Sequence, residues 1–310
     1  MQARSYYGAA AALTAAAGFV HLRAWQAERA SPPRGRIVGV DGAQIHFTER
    51  GDGPPLVVLH GLGSMGEEVA LSPFLPLAAS RYRVIVVDRP GYGHSTRPPG
   101  AWWGPQRQAA LLREFLKVAG IEKPVLLGHS FGALVALAYG LAYGSSLRGL
   151  VLASGYYFPT ARIDTPVMAA PAIPVLGALM RHTVSPLVGR MMWPALLRLL
   201  FRPAPVPAYF DRFPLWMNLR PSQLRAAAEE SAMLVPATLA LRKRYGGLEI
   251  APVIVAGMRD RYVDPASHSA RLARAVPRAE LMLAPRAGHM VHHTDPRRVL
   301  QAVQAADNRS

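Results

Sequence analysis

A chain of 310 residues can bury a core large enough to fold by packing alone, and with no cysteine it has no disulfide, thiolate metal site or cysteine nucleophile. Its 35 Lys and Arg against 19 Asp and Glu give a formal charge of +16, which raises nucleic acid and anionic membranes as partners. The cations are nearly all arginines spread from Arg4 to Arg309, and the densest knot, Arg242-Lys243-Arg244, has no interleaved aromatics, so nucleic acid is set aside and anionic lipid is kept.

From Ser5 to Leu22 the chain carries no charged residue, and Arg4 and Arg23 bracket the run. Residues 5–22 are just long enough to span a bilayer, but they are mostly alanine and include His21. Membrane association through residues 5–22 is the favoured reading. A cleaved signal peptide, with Ala15-Ala16-Ala17 as its small-residue site, and a helix packed on the body are the rivals. If the run spans, Arg23, Arg29, Arg34 and Arg36 on its far side keep the body cytoplasmic; a soluble or exported body is the alternative. Pro32-Pro33 lies in a charged linker, so residues 1–36 read as an N-terminal segment ahead of a folded body.

From Ile37 onward, short apolar runs alternate with longer helical patterns. The candidate strands begin at Ile37, Gln44, Leu56, Arg83, Val125, Leu150, Val253 and Leu281. Continuous Val, Leu and Ile runs are what strands buried on both faces require. The fold class is therefore α/β, a mostly parallel eight-stranded sheet with helices on both faces. Asp41-Gly42 between the first two runs favours a hairpin, so the sheet opens antiparallel. Residues 155–247 break the alternation with a stretch rich in Pro, Leu, Met and aromatics, helical at 195–201 and 223–235. They read as a helical cap between two parts of the core, 37–154 and 248–310.

After the run at Val125 comes Gly128-His129-Ser130-Phe131-Gly132, followed by an apolar helix. This G-x-S-x-G pattern between strand and helix is a nucleophile elbow, which lifts the serine hydroxyl out of a sharp turn. A serine capping an ordinary strand-to-helix turn is the plain alternative. Acyl transfer also needs donors for the oxyanion; His60-Gly61-Leu62-Gly63 follows a strand and nominates the N–H groups of Leu62 and Phe131. Asp260 and His289 each follow a late strand, and the order Ser130, Asp260, His289 suits a nucleophile, an orienting acid and a base. Asp264 reads as a helix cap ahead of Pro265, and His292 and His293 read as surface or helix-start residues.

With Asp88-Arg89-Pro90-Gly91-Tyr92-Gly93-His94-Ser95, which matches a D-x-P-G-x-G-x-S segment, these motifs make the chain resemble the cap-bearing serine esterases of the α/β-hydrolase superfamily from Ile37 to the C-terminus. The resemblance implies hydrolysis of a carboxylic ester or related acyl bond. It disfavours haloalkane dehalogenation and epoxide hydrolysis, whose members attack with an aspartate where this chain has Ser130. Acyl transfer, perhydrolysis and carbon–carbon bond hydrolysis stay open on the same triad, and a catalytically idle ligand-binding scaffold is the rival from another class. No organic cofactor or metal is expected, because no His/Asp cluster has ligand spacing and no glycine loop fits a nucleotide fold. Tyr156, Phe213 and Trp216, in the apolar cap, are expected to bind an acyl or aromatic ester.

Overall fold

The computed structural model describes residues 2–100, 102–160 and 164–309. Strands β1 (Arg36–Val40), β2 (Ala43–Arg50), β3 (Pro55–Leu59), β4 (Arg83–Val87), β5 (Val125–His129), β6 (Gly149–Ala153), β7 (Val253–Gly257) and β8 (Glu280–Ala284) form a sheet ordered β1-β2-β4-β3-β5-β6-β7-β8. Each occupies one of the apolar runs read from the sequence. Asp41 and Gly42 both take positive φ, 47° and 76°, in the two-residue turn between β1 and β2. β2 then pairs antiparallel with β4, and every later pairing is parallel.

The uninterrupted apolar runs follow from the pleat. Leu56 and Val58 of β3 point into one core while Val57 and Leu59 point into the other, and β5, β6 and β7 divide in the same way. Helices Pro105–Val118 and Phe131–Tyr143 cover one face, and Phe74–Ala79 and Pro296–Asp307 cover the other.

Between β6 and β7 the chain leaves the sheet to build a helical layer, chiefly Leu176–His182, Val184–Phe201 and Pro221–Leu241. Phe201, Phe210, Phe213 and Met217 of this layer pack with Met65, Tyr92 and Met290 of the body. The seam also holds a buried ionic network. Glu230 accepts from Arg89 at 2.7 Å, Arg97 at 2.9 Å and the Tyr92 hydroxyl at 2.7 Å. Burial alone would raise the Glu230 carboxyl, but Arg89 and Arg97 outweigh it and hold it below the usual carboxylate range. Gly288 closes the seam elsewhere: a Cβ there would run into the Arg202 carbonyl at the end of the long cap helix.

Helix Gln2–Ala30 lies against the cap. Val20 is buried, Phe19 meets the edge of Trp216 with ring centroids 5.8 Å apart, Arg23 sits over the same ring, and Glu28 pairs with Arg220 at 2.9 Å. Among the described residues no helix is long and apolar enough to cross a membrane. The spanning form of the N-terminal expectation is thereby corrected, since alanine contributes too little hydropathy per residue.

Candidate active site

β5 ends at His129, and Ser130 turns the chain at φ 54° into helix Phe131–Tyr143. Strand and helix approach so closely that a Cβ at Gly128 would strike the Gly132 carbonyl, and one at Gly132 would strike that of Leu59. Ser130 Oγ makes no capping bond, and it lies 3.0 Å from His289 Nε2. His289 is carried by the loop after β8, Asp260 by the loop after β7. His289 Nδ1 donates to Asp260 Oδ2 at 2.8 Å, while Asp260 Oδ1 accepts the N–H groups of Tyr262 and Val263 at 2.8 and 2.9 Å. That bond places the imidazole proton on Nδ1, leaving the Nε2 lone pair facing the serine hydroxyl, the tautomer a general base needs. Asp264 is exposed and accepts from Ser267 N–H at 2.8 Å, the capping role read from sequence.

The loop after β3 passes over the serine: a Cβ on Gly61 would sit 3.1 Å from Ser130 Cβ. His60 shapes this loop, its Nδ1 donating to Gly61 O at 2.8 Å and its Nε2 accepting from Arg89 N–H at 3.0 Å. Complete burial and the Arg89 charge push its pKa down to about 4, so the ring is neutral. Arg89 also donates to the carbonyls of His60 and Gly61, at 2.8 and 2.9 Å, and so joins this loop to Glu230 of the cap. Leu62 borders the space above Ser130, and Phe131 opens the helix, where first-turn N–H groups have no intrahelical acceptor.

That space is a cavity of about 210 Å³ lined by Ser130, His289, Tyr262, Trp193, Leu197 and Phe213, among others. Phe213 was expected there; Tyr156 and Trp216 were also expected and are elsewhere. Tyr156 is buried at the root of the cap, its hydroxyl donating to the Thr160 carbonyl at 2.8 Å and its ring against His268. Trp216 faces Phe19 and Arg23 and borders an outer groove of about 640 Å³ with Arg23, Arg190 and Arg198. Trp193, which shares both spaces, lies on the helix whose apolar run the sequence displays without revealing which side faces the serine.

Of the two readings of the histidines after His289, helix start holds, in the short helix Val291–Thr294, and surface is corrected. His292 and His293 are buried, and the Nε2 of each lies 2.6 Å from Glu68 Oε1. Burial would raise the Glu68 carboxyl, but the charge of His292 and the hydrogen bonds of both rings hold it well below its ordinary value. Beside them His129 donates from Nε2 to the His289 carbonyl at 3.0 Å. Burial, with His292 and His289 as neighbours, holds the His129 pKa well below its ordinary value. Glu68 carried no signal of its own, since its partners lie more than two hundred residues away along the chain.

Residues 54–296 match the family described as the alpha/beta hydrolase fold. Over 271 residues the chain is 25% identical to haloalkane dehalogenase 2 of Mycobacterium bovis, covering 84% of this chain and 90% of that protein. A hydrolase from Pseudomonas aeruginosa superposes with a TM-score of 0.72 at 20% identity, over 89% of this chain and 98% of its own. A bacterial membrane phospholipase A superposes with a TM-score of 0.65 at 23% identity, over 99% of this chain and 100% of its own.

Proposed function

Because the chain belongs to the α/β-hydrolase fold family, whose curated relatives are hydrolases, we propose that it is a serine hydrolase cleaving a carboxylic ester with an apolar acyl group. The observation that carries this reading is the hydrogen-bonded series Asp260–His289–Ser130 opening into an apolar cavity. His289 Nε2 takes the hydroxyl proton as Ser130 Oγ attacks the ester carbonyl. The N–H groups of Leu62 and Phe131 receive the oxyanion, and the alkoxide leaves with the proton from His289. Water, activated by the same imidazole, then releases the acid. Asp260 stays ionised and holds the ring in place. A serine at the elbow does not suit halide displacement, the activity named for the mycobacterial relatives, because the aspartate of that chemistry is absent.

The cavity, about 210 Å³ and lined largely by apolar side chains, suits a short to medium acyl chain. The outer groove, with arginines around Trp193 and Trp216, suits the rest of an amphiphilic ester with an anionic head. We infer further that the N-terminal helix and the cap rest on an anionic lipid surface. Leu22, Trp25, Val188, Met191 and Met192 are exposed apolar residues on these packed helices, and Arg23, Arg29 and Arg190 stand among them in sequence.

The deciding experiment is labelling by a fluorophosphonate probe alongside turnover of p-nitrophenyl esters of increasing chain length. Rapid labelling at Ser130 with turnover of the shorter esters is expected. No labelling and no turnover would leave a binding scaffold, and product forming on alcohol acceptors in preference to water would make the protein an acyltransferase.

A further inference from the structure

We propose that Glu68, His129 and His292 form a binding site for a divalent cation of the zinc type, placed beside the nucleophile with one side open to the Ser130 cavity. Each of the three offers one donor atom, all three atoms lie within 4.8 Å of one another, and all three residues are buried. They come from separate parts of the fold: Glu68 from the short helix Gly66–Leu71, His129 from the last position of β5, and His292 from the turn Val291–Thr294.

One of the lone pairs is already bare. A backbone carbonyl can only accept, so the bond from His129 Nε2 to the His289 carbonyl puts the ring proton on Nε2 and leaves His129 Nδ1 as a naked donor. In binding an ion, His292 Nε2, which stands 2.6 Å from Glu68 Oε1, gives up its proton and joins the carboxylate as a ligand. His129 Nδ1 is fully buried without a hydrogen-bond partner among the described residues. A buried imidazole nitrogen with no partner is costly unless a ligand meets it.

Metal-bound histidines characteristically give their other N–H to a carbonyl or carboxylate, which fixes the ring and its basicity. His129 already has this outer partner in the His289 carbonyl, and a third histidine, His293, holds the carboxylate. Two imidazoles and one carboxylate suit zinc among the common divalent ions. Donors on one tetrahedral zinc stand about 3.3 Å apart at Zn–N distances near 2.05 Å, so side-chain movements of about an ångström close the set. Glu68 and His129 both border the cavity, which supplies the fourth position with water. The cluster has no local sequence signature of the kind that marks zinc motifs, since its members are brought together only by the sheet.

The test uses the full chain, stripped with a chelator and titrated with CoCl2 and then ZnCl2. One equivalent of Co²⁺ with the visible absorption of a low-coordinate site is expected, displaced by one equivalent of Zn²⁺. Glu68→Gln and His292→Gln should each abolish that absorption, while His293→Gln, which removes only an outer partner, should keep it with weaker binding. Circular dichroism confirms that each variant is folded. If the variants unfold, the wild-type protein still decides: a titration without the absorption band overturns the proposal. So does uptake that persists in both folded ligand variants, or that vanishes only on replacing His21 and His182, whose rings stack where the N-terminal helix meets the cap with ring nitrogens 3.0 Å apart.

Discussion

The tautomer of His289 is set from both sides, by Asp260 at one nitrogen and the Ser130 hydroxyl at the other, so the three residues should fail as a unit. Ser130→Ala and His289→Ala should each lower turnover of p-nitrophenyl butyrate by several orders of magnitude with circular dichroism unchanged. Asp260→Asn should cost about 10⁴-fold, since the amide favours the wrong ring tautomer. Asp264→Asn should stay within about tenfold, and a heavier loss there than at Asp260 would mean that the acid is misassigned. His60 yields a prediction of a different kind. Its folded pKa of about 4 lies below the unfolded value near 6.5, so between these limits the unfolded chain binds a proton that the folded chain refuses. The stability concerned is intact above about pH 6.5, declines as pH falls, and levels off below about pH 4, a change of roughly 3 kcal/mol. Urea titrations at pH 7 and 4.5 should show a smaller loss in His60→Asn than in the wild type; equal losses would show that His60 is not the group responsible. The three residues that the structure joins in one hydrogen-bonded series, Ser130, His289 and Asp260, could be picked out in the sequence because each follows a strand and sits in its own short motif. Glu68 and its histidines were not, because a pairing across the fold has no local spacing to announce it.

At the level of elements, the sequence pattern located every strand but could not orient the cap. A sheet buried on both sides writes itself as unbroken apolar runs, whereas the cap's aromatic residues face the cavity, the body and the N-terminal helix alike, with one composition for all three. Trp193 and Trp216 separate these roles. Trp193→Ala enlarges the cavity and should shift the preferred acyl length upward, with each methylene worth about 1–3 kcal/mol in discrimination. Trp216→Ala should leave that preference alone and instead speed proteolytic removal of residues 1–30, because it loses Phe19 and Arg23 as partners. A change of chain-length preference in Trp216→Ala would return that side chain to the substrate. Across the seam, Glu230→Ala leaves the buried Arg89 without its carboxylate, while Arg97 keeps Glu229, and should cost about 3–5 kcal/mol in unfolding free energy. It should also lower kcat, because Arg89 holds the His60 and Gly61 carbonyls as well as Glu230.

For the whole molecule, the charge of +16 and the exposed apolar residues of the N-terminal helix and cap should act together. Sedimentation with vesicles should recover the protein on phosphatidylglycerol far better than on phosphatidylcholine, and 0.5 M salt should release much of it. A chain lacking residues 1–30 should bind less while keeping its turnover of soluble esters; equal recovery on both vesicles would remove the electrostatic half of the idea. The contact at Gly288 bears on how such a molecule can diversify. Because the backbone at Arg202 occupies the room a side chain would need, the last turn of the cap helix and the loop that carries His289 have to be inherited together. A chimaera that takes its lid from another family member and joins it anywhere between residues 198 and 203 would displace the imidazole it was meant to leave untouched. Recombination that exchanges both segments at once keeps the register, so the workable crossover points lie at the sheet and not at the visible edges of the lid.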